Sequence, residues 1–247
     1  MDGPDPDEME RLLKSGKRPK FAYLIPDFQN PSGTVMAEEK RRAIVALAEK
    51  YNFWIFEDAP YRALRYSGAE IPSIYSLLPG RVCQMSSYSK TICPGLRVGF
   101  MVVPLELIKP LAKMAEDTYI NSSYINQAIA FEYIHSGHFS QNLEKLKRLY
   151  SQRLTTMLAC LDDHFTGRAT WTQPDGGFFI GLRLNTAIPL DTLLAAAKKA
   201  GLELSDGRGF FPNGGGENFI RLPFCGVTPE EINEGINRLD QAISSLL

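Results

Sequence analysis

Residues 21–33 read Phe21-Ala22-Tyr23-Leu24-Ile25-Pro26-Asp27-Phe28-Gln29-Asn30-Pro31-Ser32-Gly33, and residues 53–58 read Phe53-Trp54-Ile55-Phe56-Glu57-Asp58. The first opens on an apolar run closed by Pro26, which reads as a buried strand running into a turn-rich loop. The second reads as another strand. Between them, Ile44, Leu47, Ala48 and Tyr51 recur at helical spacing over residues 37–51. Strand, helix and strand with short connections form the unit from which parallel sheets are built. The chain is therefore expected to be an α/β protein.

The pattern extends outward from this unit. Upstream, residues 1–19 are polar, with a short helix expected from Asp7 to Lys14 that stops at Gly16. Downstream, Val82 to Ser86 and Val98 to Val103 read as strands. Residues 105–116 and 124–135 read as helices. A long amphipathic helix over 139–162 carries Leu143, Leu146, Leu149, Leu154, Met157 and Leu161. Beyond it the texture changes. Gly176-Gly177 precedes a strand from Phe178 to Leu182, Leu190 to Lys199 is helical, Phe219 to Leu222 is a strand, and Pro229 to Leu246 is a closing helix. The expected organisation is a larger α/β part with a mostly parallel sheet, residues 1–138, and a smaller α+β part, residues 139–247. Neither repeats nor low-complexity segments are present.

Bulk properties narrow the function classes. The 247 residues are 44% hydrophobic and 22% charged, enough apolar material for a sizeable core. With 27 basic and 28 acidic residues the net charge is -1, which points to neither nucleic acid nor an anionic membrane as partner. The apolar runs are too short to span a bilayer, and no secretory signal is expected. Cys83, Cys93, Cys160 and Cys225 show no CxxC spacing and read as reduced, mostly buried thiols of a cytoplasmic protein. His135 and His138 lack a third ligand, so no metal site is expected.

In parallel α/β sheets, ligands collect outside the carboxyl ends of the strands. Asn30-Pro31-Ser32-Gly33 follows the first strand, and Asp58 and Tyr61 follow the second. After the third come Ser87-Tyr88-Ser89-Lys90 and Pro94-Gly95-Leu96-Arg97. Taken singly, each has an ordinary explanation: a turn, a cap, a core tyrosine or a solvated charge. Together they are the groups that pyridoxal phosphate requires. Lys90 supplies an amine that condenses with the aldehyde and later shuttles a proton. Asp58 supplies a carboxylate that keeps the pyridine nitrogen protonated. Asn30 and Tyr61 can donate to the ring oxygen. Ser87, Ser89 and Arg97 can hold the phosphate, the last by charge-assisted hydrogen bonds.

These segments resemble the class I/II aminotransferases, which have the fold-type I architecture of pyridoxal phosphate enzymes. Ser87-Tyr88-Ser89-Lys90, followed seven residues later by Arg97 in Gly95-Leu96-Arg97-Val98-Gly99, is similar to their cofactor-lysine motif. The stretch from Tyr23 to Gly33, and Glu57-Asp58-Ala59-Pro60-Tyr61-Arg62, resemble the branch containing 2-aminoadipate and kynurenine aminotransferases. Pro174-Asp175-Gly176-Gly177-Phe178-Phe179 resembles the entry to the family's small domain. Ile220-Arg221-Leu222-Pro223-Phe224 resembles its substrate-carboxylate segment. The resemblance implies a partial fold-type I large domain plus a C-terminal α+β small domain. It implies that Arg221, with Asn30, binds the substrate. The implied reaction is ping-pong transfer of an amino group from an amino acid to a 2-oxo acid, with 2-oxoglutarate as a candidate acceptor, in a homodimer.

Two departures from the family accompany this likeness. Its members are considerably longer and begin well upstream of Met1, and the earlier region supplies a phosphate-binding loop and an aromatic that stacks on the pyridine ring. Ala59 stands where many relatives carry an acid, and little effect is expected because its side chain should point away from the ring. Two other outcomes are compatible with the same residues. One is lyase chemistry on the same cofactor shell. The other is an effector-binding domain of a MocR-type transcription regulator, although nothing in residues 1–247 resembles a DNA-binding helix-turn-helix.

Overall fold

Helix α1 (Pro6–Lys14) starts at the Asp5 cap and is followed by β1 (Phe21–Leu24), α2 (Glu38–Tyr51), β2 (Trp54–Asp58), the single turn α3 (Ile74–Leu77) and β3 (Val82–Ser87). This is a computed structural model, describing residues 2–247. Strands β1, β2 and β3 lie side by side and parallel, as the strand–helix–strand spacing implies. Strand β4 (Gly99–Val102) pairs with β3 in the opposite sense. The reason is the connection: residues 88–98 hold no crossover helix, and without one the chain turns back as an antiparallel neighbour. Leu24, Ile44, Leu47, Ala48, Phe53, Ile55 and Val82 form the core between sheet and helices.

The expected burial of β1 is corrected. Phe21 and Tyr23 are 56% and 53% exposed, and Leu24 alone in the strand is buried. β1 is an edge strand of the four-stranded sheet, so an all-apolar run still presents one face outward. Helices α4 (Leu105–Tyr119) and α5 (Tyr124–His135) follow β4, where helices are expected, and are largely exposed. α4 has no buried residue and α5 has only Ala130.

Helix α6 (His138–Phe165) leads to β5 (Ala169–Trp171), β6 (Phe179–Leu184), α7 (Leu190–Lys199), β7 (Phe219–Pro223) and α8 (Pro229–Ser244). β5, β6 and β7 form an antiparallel three-stranded sheet. Leu161, Phe165, Ile180, Leu182, Leu193, Ile220 and Leu239 are buried around it. α8 opens with a complete capping box, Thr228 with Glu231.

The chain forms two compact units. One runs to Asp27 and resumes over Val35–Leu146; the other comprises Phe28–Thr34 and Lys147–Leu247. The division thus lies inside α6 rather than at 138/139. Near its start, Asn142 Nδ2 donates to the Thr91 carbonyl (3.0 Å), whereas Leu154, Met157, Leu161 and Phe165 are buried further along. Segment 28–34 groups with the second unit because Thr172 Oγ1 donates to the Ser32 carbonyl (2.6 Å). A Cβ at Gly33 would also collide with the Phe179 carbonyl.

Two buried carboxylates organise the first unit. Asp27 is fully buried and accepts from Arg41 Nη2 (2.8 Å) and Arg62 Nη1 (2.8 Å), with Arg65 at 3.5 Å. Glu57, also fully buried, accepts from the backbone N–H groups of Ile74 (3.0 Å) and Tyr75 (2.8 Å) and from Gln84 Nε2 (3.1 Å). Burial raises its pKa above the ordinary 4.5, against the pull of those backbone donors.

Replacing Asp27 with Ala leaves the fully buried Arg41 without its carboxylate and is expected to cost about 3–5 kcal/mol in urea unfolding. A loss under about 1 kcal/mol, the value of an exposed pair, would remove the cluster from the stability argument. Glu57 gives a pH signature. Its folded-state value lies above the unfolded one, so its contribution is whole below the ordinary value and falls as pH rises through the raised one. Glu57→Gln should therefore gain stability relative to the native chain as pH rises from the ordinary 4.5 through the raised value. A difference that stays constant over that range contradicts the assignment.

Candidate active site

In the first unit the chemistry sits at the strand ends. Alternation along β2 buries Ile55 and Glu57 on one face and leaves Phe56 and Asp58 half-buried on the other. The parallel register sets Tyr23 beside Phe56, so the long tyrosine side chain reaches diagonally to Asp58. Its hydroxyl donates to Asp58 Oδ2. Partial burial of that hydroxyl end, then the Asp58 carboxylate, push the Tyr23 phenol upward, although the residue as a whole is more than half exposed. It stays a protonated donor at neutral pH. Just beyond Asp58, Ala59 and Tyr61 are buried, and Arg62 turns back to Asp27.

After β3 the chain makes a tight turn. Ser87 Oγ donates to Ser89 Oγ (2.9 Å), and the Ser89 backbone N–H donates to Ser87 Oγ (3.1 Å). Ile92 N donates to the Tyr88 carbonyl (2.8 Å), which closes the turn containing the half-buried Lys90. Arg97 follows a one-turn 3-10 helix at Pro94–Leu96, with φ of 54° and an exposed side chain. Gly99 is held close to β3: a Cβ there would lie 2.9 Å from the Ser86 carbonyl oxygen.

The second unit holds a different group. Segment 28–34 is folded on itself by Gln29, whose side-chain oxygen accepts from Ser32 N (3.0 Å) and Ser32 Oγ (2.6 Å), and the Asn30–Pro31 peptide is cis. Arg221 on β7 donates from Nη1 to Asn30 Oδ1 at 3.0 Å. Because arginine only donates, this bond fixes the Asn30 amide with its NH2 directed elsewhere. The Arg221 Cζ lies 4.9 Å from the Phe179 ring centroid and 5.0 Å from that of Phe210. Its Nε is buried with no hydrogen-bond partner, and no carboxylate pairs with Arg221 among the described residues. A buried, unpartnered N–H on a cation is costly, a state that Arg153 Nε shares.

The residues singled out from sequence thus fall into two groups. Asp58, Tyr61, Ser87, Ser89, Lys90 and Arg97 belong to the first unit, while Asn30 and Arg221 belong to the second and touch each other. Tyr23, Phe179 and Phe210 escaped the sequence reading. Tyr23 was visible only as a strand residue, since its reach to Asp58 depends on the register of two strands. Phe179 was visible as a strand residue within the Pro174–Phe179 motif, and Phe210 carried no signal. Of the cysteines, Cys83 and Cys160 are buried, Cys225 is intermediate and Cys93 is exposed. No metal-ligand cluster occurs among the described residues. None of their helices is long and apolar enough to cross a membrane.

The family profile for aminotransferase class I and II matches residues 3–239. The 2-aminoadipate transaminase of Thermus thermophilus is 34% identical over 251 residues, covering 100% of this chain and 62% of that protein. The crystal structure of LysN, the alpha-aminoadipate aminotransferase of Thermus thermophilus, complexed with N-(5'-phosphopyridoxyl)-L-leucine, superposes with a TM-score of 0.93 at 33% identity. It matches 99% of this chain and 64% of that one. An uncharacterized HTH-type transcriptional regulator of Bacillus subtilis, YdfD, is 33% identical, covering 95% of this chain and 48% of the regulator. The chain spans less than two thirds of the length of these curated relatives. It has their fold-type I architecture, a mostly parallel sheet followed by a smaller α+β unit. The chain belongs to the class I and II aminotransferase family.

Proposed function

We propose that this protein is a pyridoxal phosphate-dependent aminotransferase that moves an amino group from an amino acid to a 2-oxo acid, with 2-oxoglutarate a fitting acceptor. The observation that carries the reading is the turn Ser87–Lys90, which joins two hydroxyls in the same turn that carries Lys90 at the end of β3, with the β2 end bearing Asp58 alongside. The donor set matches the group. It offers an amine for the aldehyde, a carboxylate for the ring nitrogen, and hydroxyls with a guanidinium for the phosphate. When bound, pyridoxal phosphate supplies an electrophilic carbon and a ring that withdraws electrons from the substrate's α-carbon.

The chain's own residues divide the rest of the work. Lys90 Nζ holds the group and, once displaced, takes the proton from the amino acid's α-carbon. Asp58 holds the proton of the ring nitrogen by charge pairing, and Tyr23 fixes its Oδ2. Ser87, Ser89 and Arg97 bind the phosphate. Asn30 and Tyr61 donate to the ring oxygen. Arg221, whose Nε is unpartnered, anchors the substrate α-carboxylate. The likeness to YdfD supports a second reading, an effector-binding domain of a MocR-type regulator that holds the cofactor without turnover. The buried thiols Cys83 and Cys160 suit a reducing cytoplasm. Leu105 and Tyr124, 84% and 81% exposed on α4 and α5, suit a homodimer.

Three outcomes are expected. Adding pyridoxal phosphate to the native chain should produce a visible absorbance band, and borohydride should then leave a phosphopyridoxyl label on the Lys90 peptide. Lys90→Ala should lose the label and at least about 10²-fold of any amino transfer. A labelled Lys90 with no 2-oxo acid product would favour the regulator reading, and no label at all would sink both. Arg221→Lys should raise KM for the amino acid by about 10- to 100-fold with a smaller change in kcat, from loss of bidentate charge-assisted bonds. Light scattering at micromolar concentration should give a dimer mass; a monomer contradicts the assembly.

A further inference from the structure

The guanidinium of Arg221 is held in a way that its role as a carboxylate anchor does not by itself explain. A buried or half-buried arginine is ordinarily neutralised by a carboxylate. Asp27 does this for Arg41 in the other unit. Arg221 has no such partner among the described residues, and its neighbours are an amide oxygen and two aromatic rings. The ladder makes room for this. Gly181 stands directly opposite Arg221 and has no side chain, so the arginine can lean diagonally toward Phe179, two residues along the same face of β6. Phe210 comes from the short helical turn Arg208–Phe210 and rests edge-on against Phe219, with centroids 6.5 Å apart.

We propose that Phe179 and Phe210 are positioning residues that hold the Arg221 guanidinium by its faces and keep its charge available to a substrate carboxylate. The proposal rests on the reading of Arg221 as that anchor. The faces of a guanidinium carry no N–H, so an aromatic face meets them without competing for hydrogen bonds, and its quadrupole attracts the charge. Asn30 takes one N–H in the plane. The buried Nε edge is left for a planar, bidentate anion. A carboxylate partner in place of the rings would have compensated the charge equally well, but the incoming substrate would then have to displace it. Quadrupoles and one neutral amide stabilise the cation without that competition.

The test uses the full chain with 13C,15N-labelled arginine, glutarate as the carboxylate probe, and NMR of the Arg221 side chain assigned by its loss in Arg221→Lys. In the native chain the guanidinium should give separate, slowly exchanging Nη signals, and glutarate should shift the Nε–H signal. Phe210→Met and Phe179→Met keep apolar volume but remove a ring face. Each should average the Nη signals and weaken glutarate binding about tenfold, or about 1.4 kcal/mol. Phe210→Tyr, which restores a ring, should return both readouts to within about twofold of native, separating the clamp from loss of folding. Unchanged Nη signals and unchanged glutarate affinity in both Met variants would overturn the proposal. Separate Nη signals that collapse in Phe210→Met, with no glutarate shift in the native chain, would support the clamp and overturn the carboxylate role of Arg221.

Discussion

Asp27 closes the first parallel strand with a carboxylate that no solvent reaches, and three arginines converge on it. Arg41 comes from α2, while Arg62 and Arg65 come from the segment after β2. Arg41 also donates to the carbonyls of Pro26, Met36 and Pro72. One ionic cluster therefore ties the end of β1, the start of α2 and the loop beyond β2. An ion pair in low dielectric repays its desolvation only when geometry and further hydrogen bonds are complete, as they are here. The cluster's value lies in fixing one arrangement of the strand ends. Asp58 and Tyr61 leave from that arrangement, and segment 28–34 starts from it.

The same residue type serves an opposite purpose in the second unit. Arg41 is saturated: every edge of its guanidinium has an acceptor, and its charge is cancelled on the spot. Arg221 is left incomplete, its faces covered by rings and one edge unpartnered. A saturated cation holds a fold together. An unsaturated one keeps hydrogen-bonding capacity unmet. The difference arises from which acceptors lie nearby, and both environments draw on residues from several separate elements.

Helices α4 and α5 add a second kind of incompleteness. Their composition suits a core, and α5 is apolar on most of its circumference, yet only Ala130 is buried between them. Ile120, Tyr124, Ile125 and Phe131 are exposed in one continuous stretch of sequence. Apolar surface of this extent is characteristic of association interfaces. The helical reading of both segments holds, while their burial could not be read from composition, since an exposed apolar face and a core face have the same composition.

The local signals in the chain were enough for most of its elements. Apolar runs closed by Pro26 or Asp58, helical spacing over 37–51, and the caps at Asp5 and Thr228 specify short-range structure, because each acts within one turn or one strand. Asn30, Asp58, Lys90 and Arg97 stood out because they lie in the loops that follow strands, where such folds place ligands, whereas Arg221 stood out only through the family resemblance. Tertiary structure alone decided the rest. It turned β4 antiparallel, exposed one face of β1, and moved segment 28–34 into the second unit. It also set Tyr23 on Asp58, three arginines on Asp27, Asn30 on Arg221, and two phenylalanines over that arginine. The Tyr23 and Asn30 contacts join positions 35 and 191 residues apart, and the first depends on strand register. A one-residue slip of register would send each side chain to the opposite face, and no local propensity carries that information.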